Sequence, residues 1–293
     1  MLAAPETPRS NVTLFPAHRV GHATPTASTI VVPCYNEAER LNVEAFLAHL
    51  AEDRGLTLVM VNDGSRDATL DRLRELQAAA PGRIEVLDLA RNSGKAEAVR
   101  QGLRHAVESG AALVGYWDAD LATPLDAIGD FARVMTRLPD TQVVYGARLA
   151  LPGHRVHRTP GRRLVSRLCA TLARRAVRMP IGDTQCGAKM LRNTEALRVA
   201  LDRPFTAGWL FDVELFTRLS QQVANRGTAF YEYPLAEWEE VAGSKVSGRA
   251  ILRAGLRMLR LIAETRLGLP ERAVETAEVG VTVIAPEAHR VAA

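Results

Sequence analysis

Asp118 and Asp120 stand two positions apart at the end of an apolar run, Val114-Gly115-Tyr116-Trp117, and shortly before Thr123-Pro124. Side chains at i and i+2 of an extended chain point the same way, so the two carboxylates can offer paired oxygens at one spot. Hard oxygen ligands of this kind suit Mg²⁺ or Mn²⁺ shared with a substrate diphosphate, because Mg²⁺ usually takes only one or two carboxylates from a protein. The alternative is a pair of solvated loop acids, which a short motif by itself does not exclude.

The elements that must position this pair follow from hydrophobic periodicity. Ser28 to Pro33 predicts a strand and Glu37 to Ala51 a helix with Leu41, Phe46, Leu47 and Leu50 inward. Leu56 to Asn62 is a second strand, Asp63-Gly64-Ser65 a turn, and Ser65 or Asp67 the cap of a helix through Leu76. Ile84 to Leu89, Lys95 to Val107 and Ala112 to Trp117 continue as strand, helix and strand. Pro124 is placed in the first turn of a helix reaching Leu138, and Gln142 to Gly146 forms another strand. Short connections and strands apolar on both faces predict an α/β fold, a mostly parallel central sheet flanked by helices. Ligands bind such sheets outside the carboxyl ends of the strands. Tyr35 to Glu37, Asp63 to Ser65, Arg91 to Lys95 and Asp118 to Asp120 all follow strand ends, so four polar clusters are expected on one rim.

Beyond Arg148 the pattern is less regular: helices are expected over Gly161 to Val177, Trp209 to Val223 and Ser247 to Leu267. A loop and strand are expected over Asp183 to Leu191 and a strand over Thr228 to Pro234. Residues 1–27, with Pro5, Pro8, Pro16 and Pro25, read as a disordered leader without the apolar core of a signal peptide. One domain is expected over 28–267, divided into 28–147 and 148–267, and a tail over 268–293 to which no function is assigned.

Composition bounds the class of protein. A hydrophobic content of 47% with 24% charged residues is that of an ordinary soluble globular chain. The net charge of +4 is unevenly spread: His154 to Arg178 holds eight arginines and two histidines and no acid, which predicts an anionic partner there. Cys34, Cys169 and Cys186 have no metal-ligand spacing, which argues for a reducing compartment and against a zinc site. No apolar run approaches the roughly 18 residues of a membrane span. A cytoplasmic protein is expected, its membrane contact at most peripheral, and no nucleic-acid partner is indicated.

Val32-Pro33-Cys34-Tyr35-Asn36-Glu37, Val61-Asn62-Asp63-Gly64-Ser65, Arg91-Asn92-Ser93-Gly94-Lys95 and Asp118-Ala119-Asp120, in this order, resemble the family 2 inverting glycosyltransferases of GT-A fold. Asp183-Thr184-Gln185-Cys186-Gly187-Ala188-Lys189, Trp209-Leu210-Phe211-Asp212-Val213-Glu214 and Gly243-Ser244-Lys245-Val246 look more like the dolichyl-phosphate β-glucosyltransferase branch. The resemblance covers about residues 28 to 265 and implies that 28–147 bind the nucleotide-sugar and 148–267 build the acceptor side. It implies transfer of a hexose from a nucleotide-sugar to a polyprenyl or dolichyl phosphate, with inversion and with Mg²⁺ or Mn²⁺. Pro33, Tyr35, Glu37 and Asp63 would hold the nucleoside, Lys95 the donor side, and Asp118 and Asp120 the metal-bridged diphosphate. Two positions depart from the family pattern: Ala96 stands where glycine often follows the lysine, and Ala122 where the mannose branch usually carries glutamine. The second departure favours UDP-glucose over GDP-mannose.

Each residue also has a plainer use. Asp63 suits an Asp-Gly turn as well as a base N–H and a ribose hydroxyl. Lys95, in the first turn of a helix, is poorly placed for a cation unless an anion is near. A phosphate acceptor is largely dianionic at neutral pH and needs no general base, whereas a hydroxyl acceptor would need one. Asp212 is the candidate base, or else a first-turn aspartate favoured by the helix dipole. Arg148, Arg162, Arg163 and Lys245 are the expected acceptor-phosphate cations, with Gln185 and Trp209 beside them. On the Ser247 to Leu267 helix, Arg249, Arg253, Arg257 and Arg260 form a stripe beside Leu252, Leu256, Leu259 and Ile262, a face for the core or for an anionic membrane. His154 and His157 are assigned to an acceptor loop. A soluble hydroxyl acceptor and a non-catalytic nucleotide-sugar sensor remain as alternatives; a sugar nucleotidyltransferase lacks its Gly-x-Gly-Thr-Arg-Leu loop here.

Overall fold

The computed structural model describes residues 27–149, 151–156, 170–171, 173–239, 255–260, 262–263 and 279–285. Strand and helix alternate as β1 (Ser28–Cys34), α1 (Val43–Glu52), β2 (Leu56–Asn62), α2 (Thr69–Ala79), β3 (Ile84–Leu89), α3 (Lys95–Glu108), β4 (Leu113–Trp117), α4 (Ala127–Arg137) and β5 (Val143–Ala147). There follow β6 (Arg155–Val156), β7 (Ala188–Arg192), α5 (Glu195–Asp202), α6 (Phe211–Gln222), α7 (Arg226–Ala229), β8 (Phe230–Pro234), β9 (Glu237–Trp238) and β10 (Val281–Ile284). Eight strands form one sheet in the order β10-β3-β2-β1-β4-β7-β5-β8.

The both-faced apolar strands explain the layers. Val31, Val59 and Val61 face one core with α3 and α6, whereas Ile30, Val32, Leu58 and Met60 face a second core with α1, α2 and α4. The helices on both sides keep these strands dry. β1, β2, β3 and β4 are parallel, so their carboxyl ends share one rim. β7 runs antiparallel between β4 and β5, with Tyr116 opposite Lys189 and Trp117 opposite Ala188. That pairing brings the Asp183–Gly187 stretch, which leads into β7, to the rim where β4 ends.

Several boundaries differ from expectation. α1 starts at Val43, not at Glu37, because Asn42 caps it by accepting the Ala45 N–H at 3.0 Å, and Glu37–Arg40 forms a separate turn. Neither Ser65 nor Asp67 is the N-cap of α2. That residue is Ala68, without a side-chain bond; Ser65 accepts from Asn36 N–H, and Asp67 from the Thr69 N–H and hydroxyl. α4 begins at Ala127, after a turn in which Ala127 N–H bonds to Pro124 C=O. α5 was not anticipated; its buried face is Leu197, Ala200 and Leu201. Nor was β10, which adds an antiparallel edge strand beside β3 from the stretch read as tail.

Residues 255–260 are helical, as expected. Met258 is the residue buried there and Ile262 packs on the core, while Leu256 and Leu259 are 60% and 57% exposed. Leu252, Arg249 and Arg253 lie outside the described residues, as do most of the helix expected over Gly161 to Val177 and residues 1–26. Among the described residues no helix is long and apolar enough to cross a membrane.

Candidate active site

The first wall of the site is built from the loops after β1, β2 and β3. The loop after β1 is tied to the loop after β2 by four bonds between backbone N–H groups and side chains. Asn36 N–H reaches Ser65 Oγ (3.1 Å), Glu37 N–H reaches Thr69 Oγ1 (2.8 Å), Ala38 N–H reaches Asp67 Oδ2 (3.2 Å), and Arg66 N–H reaches Asn36 Oδ1 (2.9 Å). Asn36 takes a φ of 53°, a conformation asparagine tolerates better than most residues. Tyr35 is left 40% exposed beside this clasp, a free aromatic face of the kind on which a base stacks. Pro33 is the penultimate residue of β1 and half-buried.

Asp63 is buried, and both its oxygens are engaged: Oδ1 accepts Ser93 N–H (2.7 Å) and Oδ2 accepts Gly94 N–H (2.9 Å). It therefore anchors the loop that leads to Lys95, a use the sequence did not suggest. Loss of solvent raises its pKa above the usual aspartate range, against the two N–H bonds that pull it down. Gly64, at φ +58°, makes the approach possible: a Cβ there would overlap the Arg91–Asn92 backbone.

Asp118 and Asp120 follow β4 on the same rim. Lys95 Nζ pairs with Asp118 Oδ1 at 2.5 Å, so the helix-start cation does have an anion. Burial lowers the Lys95 pKa, but the charges of Asp118, Asp212 and Asp120 outweigh it and the net direction is upward. Asp120 Oδ1 accepts Ala122 N–H at 3.1 Å. Desolvation lifts Asp120 above the ordinary range, with Asp118 adding, against the Ala122 bond and the charges of Lys95 and Arg40. Each aspartate keeps its Oδ2 without a hydrogen-bond partner among the described residues. Behind Asp118, Gly187 C=O accepts the Asp118 N–H (2.9 Å), and a Cβ on Gly187 would collide with the Asp118 carboxylate.

Glu37 closes this side. Its Oε1 pairs with Arg40 at 2.6 Å and its Oε2 is buried without a partner. Desolvation raises its pKa, Arg40 opposes, and Asp120 and Asp67 add to the rise. Arg40, which was not among the expected site residues, is thus a second cation beside the aspartates. The conspicuous sign was its place three residues after Glu37.

Opposite them, Asp212 lies in the first turn of α6 and is buried. Its Oδ1 accepts from the Tyr116 hydroxyl and forms an ion pair with Lys189 Nζ at 2.9 Å. Lys189 is fully buried, and its Nζ also donates to Cys186 C=O at 2.6 Å. Neither Tyr116 nor Lys189 was expected in the site, although a lysine in the middle of an apolar strand always requires a buried partner.

The expected acceptor residues divide. Arg148 is half-buried over the Trp238 ring and its fork is spent on Asp183, Nε to Oδ2 at 2.7 Å and Nη2 to Oδ1 at 2.9 Å. The bidentate geometry expected for a phosphate is used within the protein. Gln185 lies on the loop between Asp183 and Gly187; its Nε2 and the neighbouring Thr184 Oγ1 are buried without partners. Trp209, in a short 3₁₀ turn (Gly208–Leu210) ahead of α6, is 46% exposed. His154 Nδ1 bonds to Leu235 C=O at 2.8 Å, which holds it to the β8–β9 connection. Arg162, Arg163, Lys245 and His157 lie outside the described residues.

The rim residues also match a known family model. The model of glycosyl transferase family 2 spans residues 29–199, more than half of the chain and all of the loops after β1 to β4. The chain belongs to glycosyltransferase family 2. It is 30% identical over 254 residues to a dolichyl-phosphate beta-glucosyltransferase of Trichomonas vaginalis, covering 83% of this chain and 72% of that one. It is also 30% identical over 239 residues to the polyprenol monophosphomannose synthase of Mycolicibacterium smegmatis, covering 78% and 85%. Among solved structures, glucosyl-3-phosphoglycerate synthase of Mycobacterium tuberculosis, in complex with Mn²⁺, UDP-glucose and phosphoglyceric acid, aligns with a TM-score of 0.58 over 87% of each chain at 20% identity. The architecture is therefore the GT-A fold, and this family 2 member is a glycosyltransferase.

Proposed function

We propose that this glycosyltransferase moves a hexose, glucose from UDP-glucose, to a polyprenyl or dolichyl phosphate with inversion at the anomeric carbon. The observation that carries the reading is the convergence of Asp63, Lys95, Asp118 and Asp120 on one rim. Relatives named for lipid-phosphate glucosyl and mannosyl transfer, about 30% identical over most of the chain, supply the substrate class.

The donor set fits a divalent cation. Two carboxylates each keep one oxygen open, and among the described residues no cluster of three or more His, Cys, Asp or Glu side chains could hold a metal alone. That suits Mg²⁺ or Mn²⁺, which would complete its shell with substrate oxygens and water. Held by Asp118 and Asp120, the ion would act as a Lewis acid on the donor diphosphate. Tyr35, Pro33 and the orphan Oε2 of Glu37 receive the nucleoside, while Lys95 and Arg40 add positive charge beside the diphosphate.

Transfer to a phosphate balances without a base. A phosphate oxygen forms the new bond to the anomeric carbon as the bond to the donor diphosphate breaks, and the electron pair leaves on the nucleoside diphosphate. The acceptor is already ionised, so no proton has to be removed. Asp212 is then free to act through its charge. With the Arg148 fork engaged by Asp183, the acceptor side rests on Gln185, Thr184 and Trp209, together with Arg162, Arg163 and Lys245. The exposed Leu256 and Leu259, beside Arg257, suit a helix end lying on an anionic membrane surface. The expected division into a nucleotide side, 28–147, and an acceptor side, 148–267, is kept as part of this reading.

The test is product analysis with purified protein, Mn²⁺, UDP-glucose or GDP-mannose, and either a short polyprenyl phosphate or the parent polyprenol. Hexosyl-phosphopolyprenol formed from UDP-glucose, with none from the alcohol, is the expected result. Sugar found only on a soluble hydroxyl acceptor, or tight donor binding without transfer to any acceptor, would overturn the assignment.

A further inference from the structure

Lys189 is a lysine with no access to solvent, held in the middle of the sheet between β4 and β5. An unpaired ammonium there would be costly, and one partner lost from a buried pair is more damaging than both. Its ammonium meets two polar partners on different parts of the chain. It pairs with Asp212 Oδ1 on α6 at 2.9 Å and donates to Cys186 C=O at 2.6 Å, one residue before the Gly187 that backs Asp118. The ammonium also lies 5.0 Å from the Tyr116 ring centroid and 5.6 Å from that of Phe216. Tyr116 in turn donates its hydroxyl to the same oxygen of Asp212. Full burial leaves Lys189 unable to touch a sugar or a phosphate, so whatever it does is done through its neighbours.

We propose that Lys189 is a positioning residue for sugar transfer: its buried ammonium, with the Tyr116 hydroxyl, fixes the Asp212 carboxylate against the Cys186–Gly187 backbone that supports Asp118. One cation thereby ties the Asp212 carboxylate to the backbone behind Asp118, the carboxylate that Lys95 pairs with. The inference rests on the donor-site reading given above but not on the choice of acceptor. The charge of Asp212, with those of Asp118 and Asp120, raises the Lys95 pKa. A shift of an ångström in either carboxylate would cost turnover far more than donor affinity, because affinity comes from the nucleoside corner.

The experiment compares Lys189→Met, Asp212→Asn and the double variant with wild type. The readout is nucleoside diphosphate release with and without acceptor, alongside thermal unfolding. Lys189→Met is expected to lower kcat on the order of 100-fold with donor KM changed by less than about threefold. In the double variant the two losses should not multiply, and the unfolding midpoint should recover towards wild type relative to either single variant. A folded Lys189→Met with kcat near wild type, or losses that multiply, would overturn the proposal. If Lys189→Met does not fold, Tyr116→Phe removes only the second donor to Asp212. A lower kcat at unchanged donor KM then supports the positioning role, and an unchanged kcat contradicts it. Wild type that releases nucleoside diphosphate but never labels a lipid phosphate would count against the acceptor assignment alone.

Discussion

At the scale of single residues, desolvation pushes three carboxylates of the site, Glu37, Asp63 and Asp120, above their ordinary range. Glu37 has one oxygen on Arg40 and one buried oxygen with no partner, and desolvation raises its pKa. A carboxyl whose folded pKa lies above its unfolded value binds protons more readily in the native state. Its charged form therefore costs stability, a cost absent at pH below the ordinary glutamate range and fully present once pH passes the raised folded value. Glu37→Gln should accordingly look relatively more stable, compared with wild type, at pH 8 than at pH 5 in urea unfolding. A difference between the two proteins that stays constant or moves the other way would show that Glu37 is not held in this manner. The sequence placed Glu37, Lys95, Asp118 and Asp120 in the stretches after strand ends, and the fold puts those stretches on one rim. Sequence alone could not show that the Arg148 fork is engaged by Asp183, because a guanidinium fork meets a carboxylate and a phosphate equally well. Only the fold brings Asp183, 35 positions away, to within 2.7 Å of it.

At the scale of elements, the loops after β1, β2 and β3 form one clasp held by side chain to backbone bonds, with Gly64 at its tightest point. Gly64→Ala would combine a left-handed conformation with overlap against the Arg91–Asn92 backbone. A loss of about 2 kcal/mol or more in urea unfolding is expected. Donor KM should rise with it, since Asp63 could no longer hold Ser93 and Gly94 in place. A variant with wild-type stability and donor KM would contradict the clasp. The strands were legible because β1, β2 and β4 are apolar on both faces, and their ends fell within a residue or two of expectation. The helix starts were less so. Glu37 to Leu41 has helix-forming residues, yet the bonds to Thr69 and Asp67 hold that stretch in a turn, and Asn42 starts α1 instead. β10 was missed because Val281 to Ile284 is short, with three of its four residues exposed, and its pairing depends on an edge 192 to 198 positions earlier that no local pattern announces.

At the scale of the whole molecule, eight strands bring four distant corners of the chain to the carboxyl ends of a parallel core, and an antiparallel β7 carries a fifth, Gly187, to the back of Asp118. The ordered motifs made the family readable in the sequence. The Lys189–Asp212–Tyr116 link was not, since its members are 23 and 73 residues apart and meet only through the β4–β7 register and the packing of α6. The most direct measurement for the account as a whole is calorimetric titration of UDP into the wild-type protein and Asp120→Ala, each with and without Mn²⁺. Wild type should bind UDP at least about tenfold more tightly with Mn²⁺, a difference of about 1.4 kcal/mol, and bind Mn²⁺ only weakly without UDP. Asp120→Ala should lose that enhancement while keeping its metal-free affinity for UDP. An affinity for UDP indifferent to Mn²⁺ in wild type, or an enhancement that survives in Asp120→Ala, would contradict the placing of a metal-bridged diphosphate on this aspartate pair.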